Sequence, residues 1–253
     1  VMGTAHFMEC VRQTASVAAA VNITTDKVYE NLEQVAGYLE TDRLGGHDPY
    51  SASKAASEIV TNSYRKAFLH SEGSARVATA RAGNVIGGGD WADNRIFPDC
   101  VRALRAERPI VVRNPDAVRP WQHVLEPLCG YLMLAAKLLS DDGDRFQGGW
   151  NFGPDPTTTV PVGALVEHVI TAWGSGHVET PPRPEGAVHE ATLLTLDITK
   201  ANSELDWYPA LGLQELVRFS VDGYRVEGTQ ADFRAARLAQ IAEYEACVAQ
   251  RSS

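Results

Sequence analysis

Two short groups, Thr25-Asp26-Lys27 and Tyr50-Ser51-Ala52-Ser53-Lys54, bring a hydroxyl, a carboxylate, a phenol and two amines within thirty residues of one another. Tyr50 and Lys54 are four apart, so on a helix they share one face. An ammonium one turn from a phenol favours the phenolate and draws the tyrosine down from its ordinary value of about 10. A phenolate of that kind is a usable base for a sugar hydroxyl. The spacing alone is weak: with eight tyrosines and five lysines, one sequence in about six would hold such a pair by chance. Tyr50 as a half-buried anchor beside a solvated lysine fits the same spacing.

The elements around these groups strengthen the case. Val21-Asn22-Ile23 runs into the first group as an apolar, β-leaning strand end. Asp48-Pro49 opens the second, a good N-cap followed by proline at the first helical position. A strand end facing a helix with Tyr and Lys on its near side is the layout of a proton-relay and hydride-transfer site.

Further along, the pattern predicts a helix at the start (Phe7, Met8, Val11), a strand over 17–24, a loop over 26–48 and a helix over 49–69. A strand over 75–82 and a loop at Gly87-Gly88-Gly89-Asp90-Trp91 come next, then a helix over 98–108 and a short strand over 110–112. A helix over 125–139 and a strand over 150–152 complete an alternating half that favours a parallel α/β sheet. Beyond Pro154 the composition changes. Pro161, Pro181, Pro182 and Pro184 punctuate helices over 162–173 and 213–226, and an Ala/Glu/Arg-rich tail over 231–250 reads as a surface helix. The expected fold class is α/β: a partial Rossmann-like parallel sheet with helices on both faces, plus a smaller α-rich C-terminal substrate lobe.

With 253 residues, 44% of them hydrophobic and 22% charged, the chain has the make-up of an ordinary globular protein. A formal net charge of −9 disfavours nucleic acid or an anionic membrane as a partner. The longest apolar stretch, 124–139, is broken by Glu126, Pro127 and Lys137, so no membrane span is expected. Cys10, Cys100, Cys129 and Cys247 lack paired or metal-like spacing and read as reduced thiols, with no metal site. Nothing resembling a secretory leader opens the chain, and a cytoplasmic location is expected.

Longer segments carry a resemblance. Thr25-Asp26-Lys27-Val28-Tyr29-Glu30-Asn31, Leu44-Gly45-Gly46-His47-Asp48-Pro49-Tyr50-Ser51 and Arg81-Ala82-Gly83-Asn84-Val85-Ile86-Gly87-Gly88-Gly89-Asp90-Trp91 resemble the extended, sugar-nucleotide-modifying branch of the short-chain dehydrogenase/reductase superfamily. Arg119-Pro120-Trp121-Gln122-His123-Val124-Leu125-Glu126-Pro127, Trp150-Asn151-Phe152-Gly153-Pro154 and Leu196-Asp197 with Lys200-Ala201 continue it. Within that branch the chain is similar to the CDP-glucose 4,6-dehydratases. The dTDP-glucose enzymes carry Glu where Lys27 stands, epimerases lack the acid and base after the threonine, and a Thr-Asp-Lys branch acting on UDP-N-acetylglucosamine lacks the tyrosine.

The resemblance implies NAD as cofactor and an internal redox cycle. Tyr50 takes the proton of the glucose 4-hydroxyl as hydride leaves C4. The 4-ketone acidifies the C5 hydrogen, water is lost across C5–C6, and hydride returns to C6, giving CDP-4-keto-6-deoxyglucose. Asp26 is then the acid, Lys27 the base and Thr25 the hydrogen-bond partner of the 4-oxygen. Lys54 tunes Tyr50 and, with it, holds the nicotinamide ribose. Lys27 must be neutral to act, which asks for desolvation or a neighbouring charge. Asn84, Arg95 and Arg119 are the implied sugar-nucleotide contacts, Arg119 at the pyrophosphate. His189-Glu190 stands where related enzymes often place a phosphate-binding arginine. Trp91 and Trp121 read as packing, and His123 as a core side chain satisfying a backbone group. A homodimer through a four-helix contact that includes the 49–69 helix is implied.

On the same reading, residues 1–87 and 120–155 form the remainder of the NAD-binding domain, and 88–119 and 156–253 the sugar-nucleotide lobe. The superfamily's Gly-x-x-Gly-x-x-Gly turn is not among these residues, and Gly87-Gly88-Gly89 follows too late a strand to replace it. About four strands of the usual sheet, carried by roughly the first hundred residues of such a fold, are likewise not present. The 253 residues by themselves are therefore expected to be unstable or inactive. Two other readings stand beside this one: an epimerase or dehydratase of another nucleotide sugar, or a non-catalytic fragment that binds sugar nucleotide only.

Overall fold

The alternating first half of the chain folds around a three-stranded parallel sheet. In a computed structural model, which describes residues 1–155, 158–182 and 194–251, two compact units emerge. The first comprises Val1–Gly83, Pro127–Gly153 and Leu194–Tyr208; the second comprises Asn84–Glu126, Pro154–Leu193 and Pro209–Ser253.

In the first unit, helix α1 (Met2–Gln13) leads into strand β1 (Ala19–Ile23), and helix α2 (Pro49–Phe68) leads into strand β2 (Arg76–Ala82). β1 runs parallel to β2 with Ala19 opposite Arg76. β2 runs parallel to a later strand, Gly148–Phe152, with Ala78 opposite Gly148. Every residue of β2 after Arg76 is buried, as a central parallel strand covered on both faces requires. α1 packs on α2, and Met8 and Val11 close an apolar cluster with Ala20, Leu69, Ala75 and Val77. The helix over 199–205 was not expected from the sequence; its Lys200 donates to the Gly149 carbonyl at 2.8 Å and lies 4.0 Å over the Trp150 ring.

The second unit holds more strand than its α-rich sequence suggested. Strand β3 (Val85–Ile86) is followed by helix α3 (Ile96–Arg105), strands β4 (Ile110–Val111), β5 (Val118–Pro120) and β6 (Gln122–His123), and helix α4 (Leu125–Leu138), which runs on into the residues of the first unit. Next come β7, the Gly148–Phe152 strand already described, then β8 (Thr159–Pro161), helix α5 (Val162–Trp173) and β9 (Val178–Glu179). The chain closes with α6 (Thr199–Leu205), α7 (Leu213–Arg225) and α8 (Gln230–Arg251). β3 pairs with β6 and β4 with β9 in parallel, while β5 pairs with β8 antiparallel.

Two elements differ from expectation for physical reasons. α3 begins at Ile96, not Pro98, because first-turn amides have no intrahelical acceptor and proline is tolerated there. α8 is not merely a surface helix: Tyr244 is buried and its hydroxyl donates to Glu126 Oε2 at 2.8 Å. The same carboxylate accepts from the Ala210 and Leu211 amides at 2.9 and 2.7 Å. Gly88 is needed by contact, since a Cβ there would lie 2.4 Å from the Gly223 Cα.

Candidate active site

The end of β1 turns at Thr24 into a short 3-10 turn, Asp26–Val28, with Thr25 as its cap. Asp26 is 3% exposed, and its Oδ1 accepts a hydrogen bond from Thr25 Oγ1 at 2.9 Å. Burial pushes its carboxyl up to about 6; the Thr25 bond and the Lys27 charge pull the other way and lose. Asp26 therefore keeps its proton up to about pH 6, well above the range of an ordinary aspartate. Lys27 stands exposed on the same turn, and its charge reaches Asp48 as well as Asp26.

The helix carrying the tyrosine starts as expected. Asp48 Oδ1 accepts from the Tyr50 and Ser51 amides at 2.9 and 3.0 Å, with Pro49 at the first position. α2 packs against the Asp26–Val28 turn. Tyr50 is 52% exposed and Lys54 half-buried one turn further on. Another turn along the same face stands Glu58, which sequence reasoning missed. Its carboxylate accepts from Thr24 Oγ1 at 2.5 Å, Thr79 Oγ1 at 2.6 Å, and Arg81 Nε and Nη2 at 3.0 and 2.8 Å. Burial works against the Arg81 charge, yet the hydrogen bonds and charge of Glu58 more than offset it and hold the guanidinium above its ordinary value. Arg81 Nη1 also donates to Tyr29 Oη at 2.7 Å, and that hydroxyl donates to Asn151 Oδ1 at 2.7 Å. A buried polar chain thus ties Thr24, just past β1, to β2, β7 and α2.

The second unit contains its own cavity of about 820 Å³. Asn84, Arg102, Arg108, Arg113, Arg119 and Trp121 are among the residues of its wall. Asn84 adopts a left-handed conformation, φ 49°, where β2 gives way to β3. Arg119 is half-buried on β5, and its Nη1 donates to the Val118 carbonyl at 2.8 Å. Arg102 is engaged by Asp99 at 2.7 Å and Asp93 at 3.2 Å. Arg108 and Arg113 are exposed and make no ion pair among the described residues, so their charge is available to an anion. Arg95 stands outside this wall, exposed, 3.4 Å from Asp90. His123 Nδ1 accepts from the Leu125 amide at 3.4 Å, and burial, with Arg237 nearby, pulls the ring down to about 4, so it stays neutral. Trp91 meets the Tyr224 ring edge-on at 5.1 Å. Pro184, His189 and Glu190 lie outside the described residues. The four cysteines are free, and burial pushes the Cys100 thiol up to about 12.

Comparison with known proteins bears on this geometry. The profile of the NAD dependent epimerase/dehydratase family matches residues 1–147. The chain belongs to that family. It is 44% identical over 219 residues to the CDP-glucose 4,6-dehydratase of Salmonella typhimurium, which covers 85% of this chain and 60% of that protein. It is 25% identical over 249 residues to the dTDP-glucose 4,6-dehydratase of Xanthomonas campestris pv. campestris, covering 90% of this chain and 66% of the relative. The chain thus spans less than two thirds of the length of these relatives.

Among solved structures, it is similar to dTDP-glucose 4,6-dehydratase from Bacillus anthracis in complex with NAD (TM-score 0.70, 21% identity, 88% of this chain and 67% of that one). It is also similar to UDP-glucuronic acid 4-epimerase from Bacillus cereus in complex with UDP-glucuronic acid and NAD (TM-score 0.72, 16% identity, 89% and 67%). These likenesses show the fold, a Rossmann-like epimerase/dehydratase fold of parallel sheet and helices.

For this epimerase/dehydratase chain, the structure brings Thr25, Asp26 and Lys27 onto one turn and packs α2, with Tyr50 and Lys54, against it. Asn84 and Arg119 share the wall of the second unit's cavity, which Arg95 does not join. Arg108 and Arg113 on that wall were missed. They flank the β4 segment in sequence, and no short-range pattern marks an arginine whose role depends on a cavity closing around it.

Proposed function

We propose that the protein acts in the dehydration of CDP-glucose to CDP-4-keto-6-deoxyglucose with NAD as cofactor. The observation that carries this reading is the buried Asp26 carboxyl, raised to about 6 by burial, beside an exposed amine on the same turn. Epimerisation at C4 has no use for an acid there, whereas loss of a sugar hydroxyl requires one. The 44% identity to a CDP-glucose 4,6-dehydratase points the same way.

The side chains present fit one part of NAD. Tyr50 is open to solvent at the start of α2 with Lys54 half-buried one turn on, beside the carboxyl end of a parallel strand, a donor pair suited to the nicotinamide ribose. When bound, NAD supplies acceptance of hydride from C4 and its return to C6. Tyr50 takes the 4-hydroxyl proton, aided by the Lys54 charge. Lys27, exposed on its turn, takes the C5 proton once bound sugar strips its water and leaves the amine neutral, and Asp26 gives its proton to the departing 6-hydroxyl. Thr25 has a single proton, which the Asp26 bond uses; it serves the sugar 4-oxygen only when Asp26 carries a proton of its own. Arg108, Arg113, Arg119 and Asn84 suit the diphosphate and sugar of the nucleotide. The work falls among nucleotide sugars of the cytoplasm. Pairing of two copies through α2, which leaves Ile59 more than half exposed, belongs to this proposal.

The test is incubation of these residues, joined to the N-terminal NAD-binding half of a relative, with NAD and CDP-glucose in heavy water, followed by NMR. The reading expects a 4-keto-6-deoxy sugar carrying solvent deuterium at C5. CDP-galactose as the product would favour a C4 epimerase instead. Lys27→Ala is expected to abolish water loss while sparing C4 oxidation.

A further inference from the structure

Gly83 follows β2 directly and is buried, and its φ lies outside the left-handed region, so nothing in the backbone asks for glycine. Space does. A Cβ at this position would lie 1.8 Å from Asp26 Oδ2, 2.1 Å from its Cγ and 2.7 Å from its Oδ1. Non-bonded heavy atoms settle at roughly 3.5–4.0 Å, so even one methyl group would overlap the whole carboxyl. That carboxyl cannot swing aside cheaply: it is almost fully buried, and Oδ1 is held by Thr25. We propose that Gly83 is a positioning residue for the acid of elimination, its missing side chain forming the seat of the Asp26 carboxyl. This rests on the reading of Asp26 given above.

It follows that a side chain at 83 and a carboxyl at 26 exclude one another. A variant with a side chain at 83 keeps Tyr50 and Lys54, which stand on α2, and so keeps C4 oxidation. In elimination the C5–H bond breaks and its proton passes to the Lys27 amine. The freed pair forms the C5–C6 double bond as the C6–O bond breaks, and the oxygen leaves as water with the proton of Asp26. A side chain at 83 removes only that last transfer. The residue at 83 would thus decide whether this site dehydrates its sugar or merely oxidises it.

The experiment compares wild type with Gly83→Ala, Asp26→Ala and the double variant, each joined to the N-terminal NAD-binding half of a relative, using CDP-glucose and NAD in heavy water. For Gly83→Ala, loss of the 6-oxygen is expected to fall about a hundredfold, the scale of a general acid. NADH absorbance should still develop, and the C5 hydrogen should still exchange with solvent. A variant that dehydrates at the wild-type rate, or that loses oxidation and elimination together, would overturn the proposal. Thermal melting gives a second arm that needs no activity. Gly83→Ala should lower the melting temperature by several degrees, and adding Asp26→Ala should restore most of the loss. An unrelieved loss in the double variant counts against the proposal. If wild type leaves CDP-glucose unoxidised, the functional reading fails, and the melting cycle alone decides whether Gly83 seats Asp26.

Discussion

The carboxyl of Asp26 has lost its water to the surrounding protein, and that loss sets both its chemistry and its cost. Burial carries it from 3.8 to about 6. The folded state therefore binds the proton more tightly than the unfolded one, so this group's favourable contribution is complete below pH 3.8 and is lost as pH rises through about 6. Above that, the buried charge costs about 3 kcal/mol. Asp26→Asn is accordingly expected to raise the melting temperature at pH 8 and to leave it nearly unchanged at pH 3.5. Melts at the two pH values check this, and destabilisation at pH 8 would contradict it. Water loss from the substrate should decline as Asp26 ionises above about pH 6.

Helix α2 carries its working side chains because both of its attachments are defined. Asp48 caps its start, and Glu58, two turns beyond Tyr50 on the same face, is bound by four donors, one on Thr24 just past β1 and three on β2. The side chains of Glu58 and Arg81 are only 4% and 5% exposed. Removing one partner of such a pair leaves an uncompensated buried charge, so Glu58→Met or Arg81→Met is expected to cost about 3–5 kcal/mol. The Glu58→Met/Arg81→Met double variant should cost less than the two single variants added together. Urea melts of the four proteins measure this; strict additivity would mean that the pair does not hold α2 against the strands.

Across the whole molecule, the proposed acid–base residues belong to one compact unit and the arginine-lined cavity to the other. Substitution in the cavity should therefore change nucleotide affinity without touching proton transfer. Each of Arg108→Ala and Arg113→Ala is expected to weaken CDP binding about tenfold, the loss of one charge-assisted hydrogen bond. Titration calorimetry at two salt concentrations checks it; unchanged affinity in both would remove the cavity from the nucleotide site. Among the described residues no helix is long and apolar enough to cross a membrane.

Much of this was legible in the residues themselves. Asp48-Pro49 marks the start of α2 and the run at 19–23 marks β1, because capping and strand preference are local effects, while Thr25-Asp26-Lys27 with Tyr50 and Lys54 were proposed as reacting groups through the resemblance their motifs carry. The two- and three-residue strands β3, β5, β6, β8 and β9 were not legible, since so short a segment shows no period and exists only through its partner. Tertiary structure alone decided that Asp26 is buried, which raises its carboxyl to about 6. It alone brought Glu58 to Arg81 across 23 positions of chain and set Arg108 and Arg113 on one wall. It also turned an unremarked glycine, 57 positions after Asp26, into the space that the carboxyl fills. Desolvation and steric exclusion act between residues that meet only after folding.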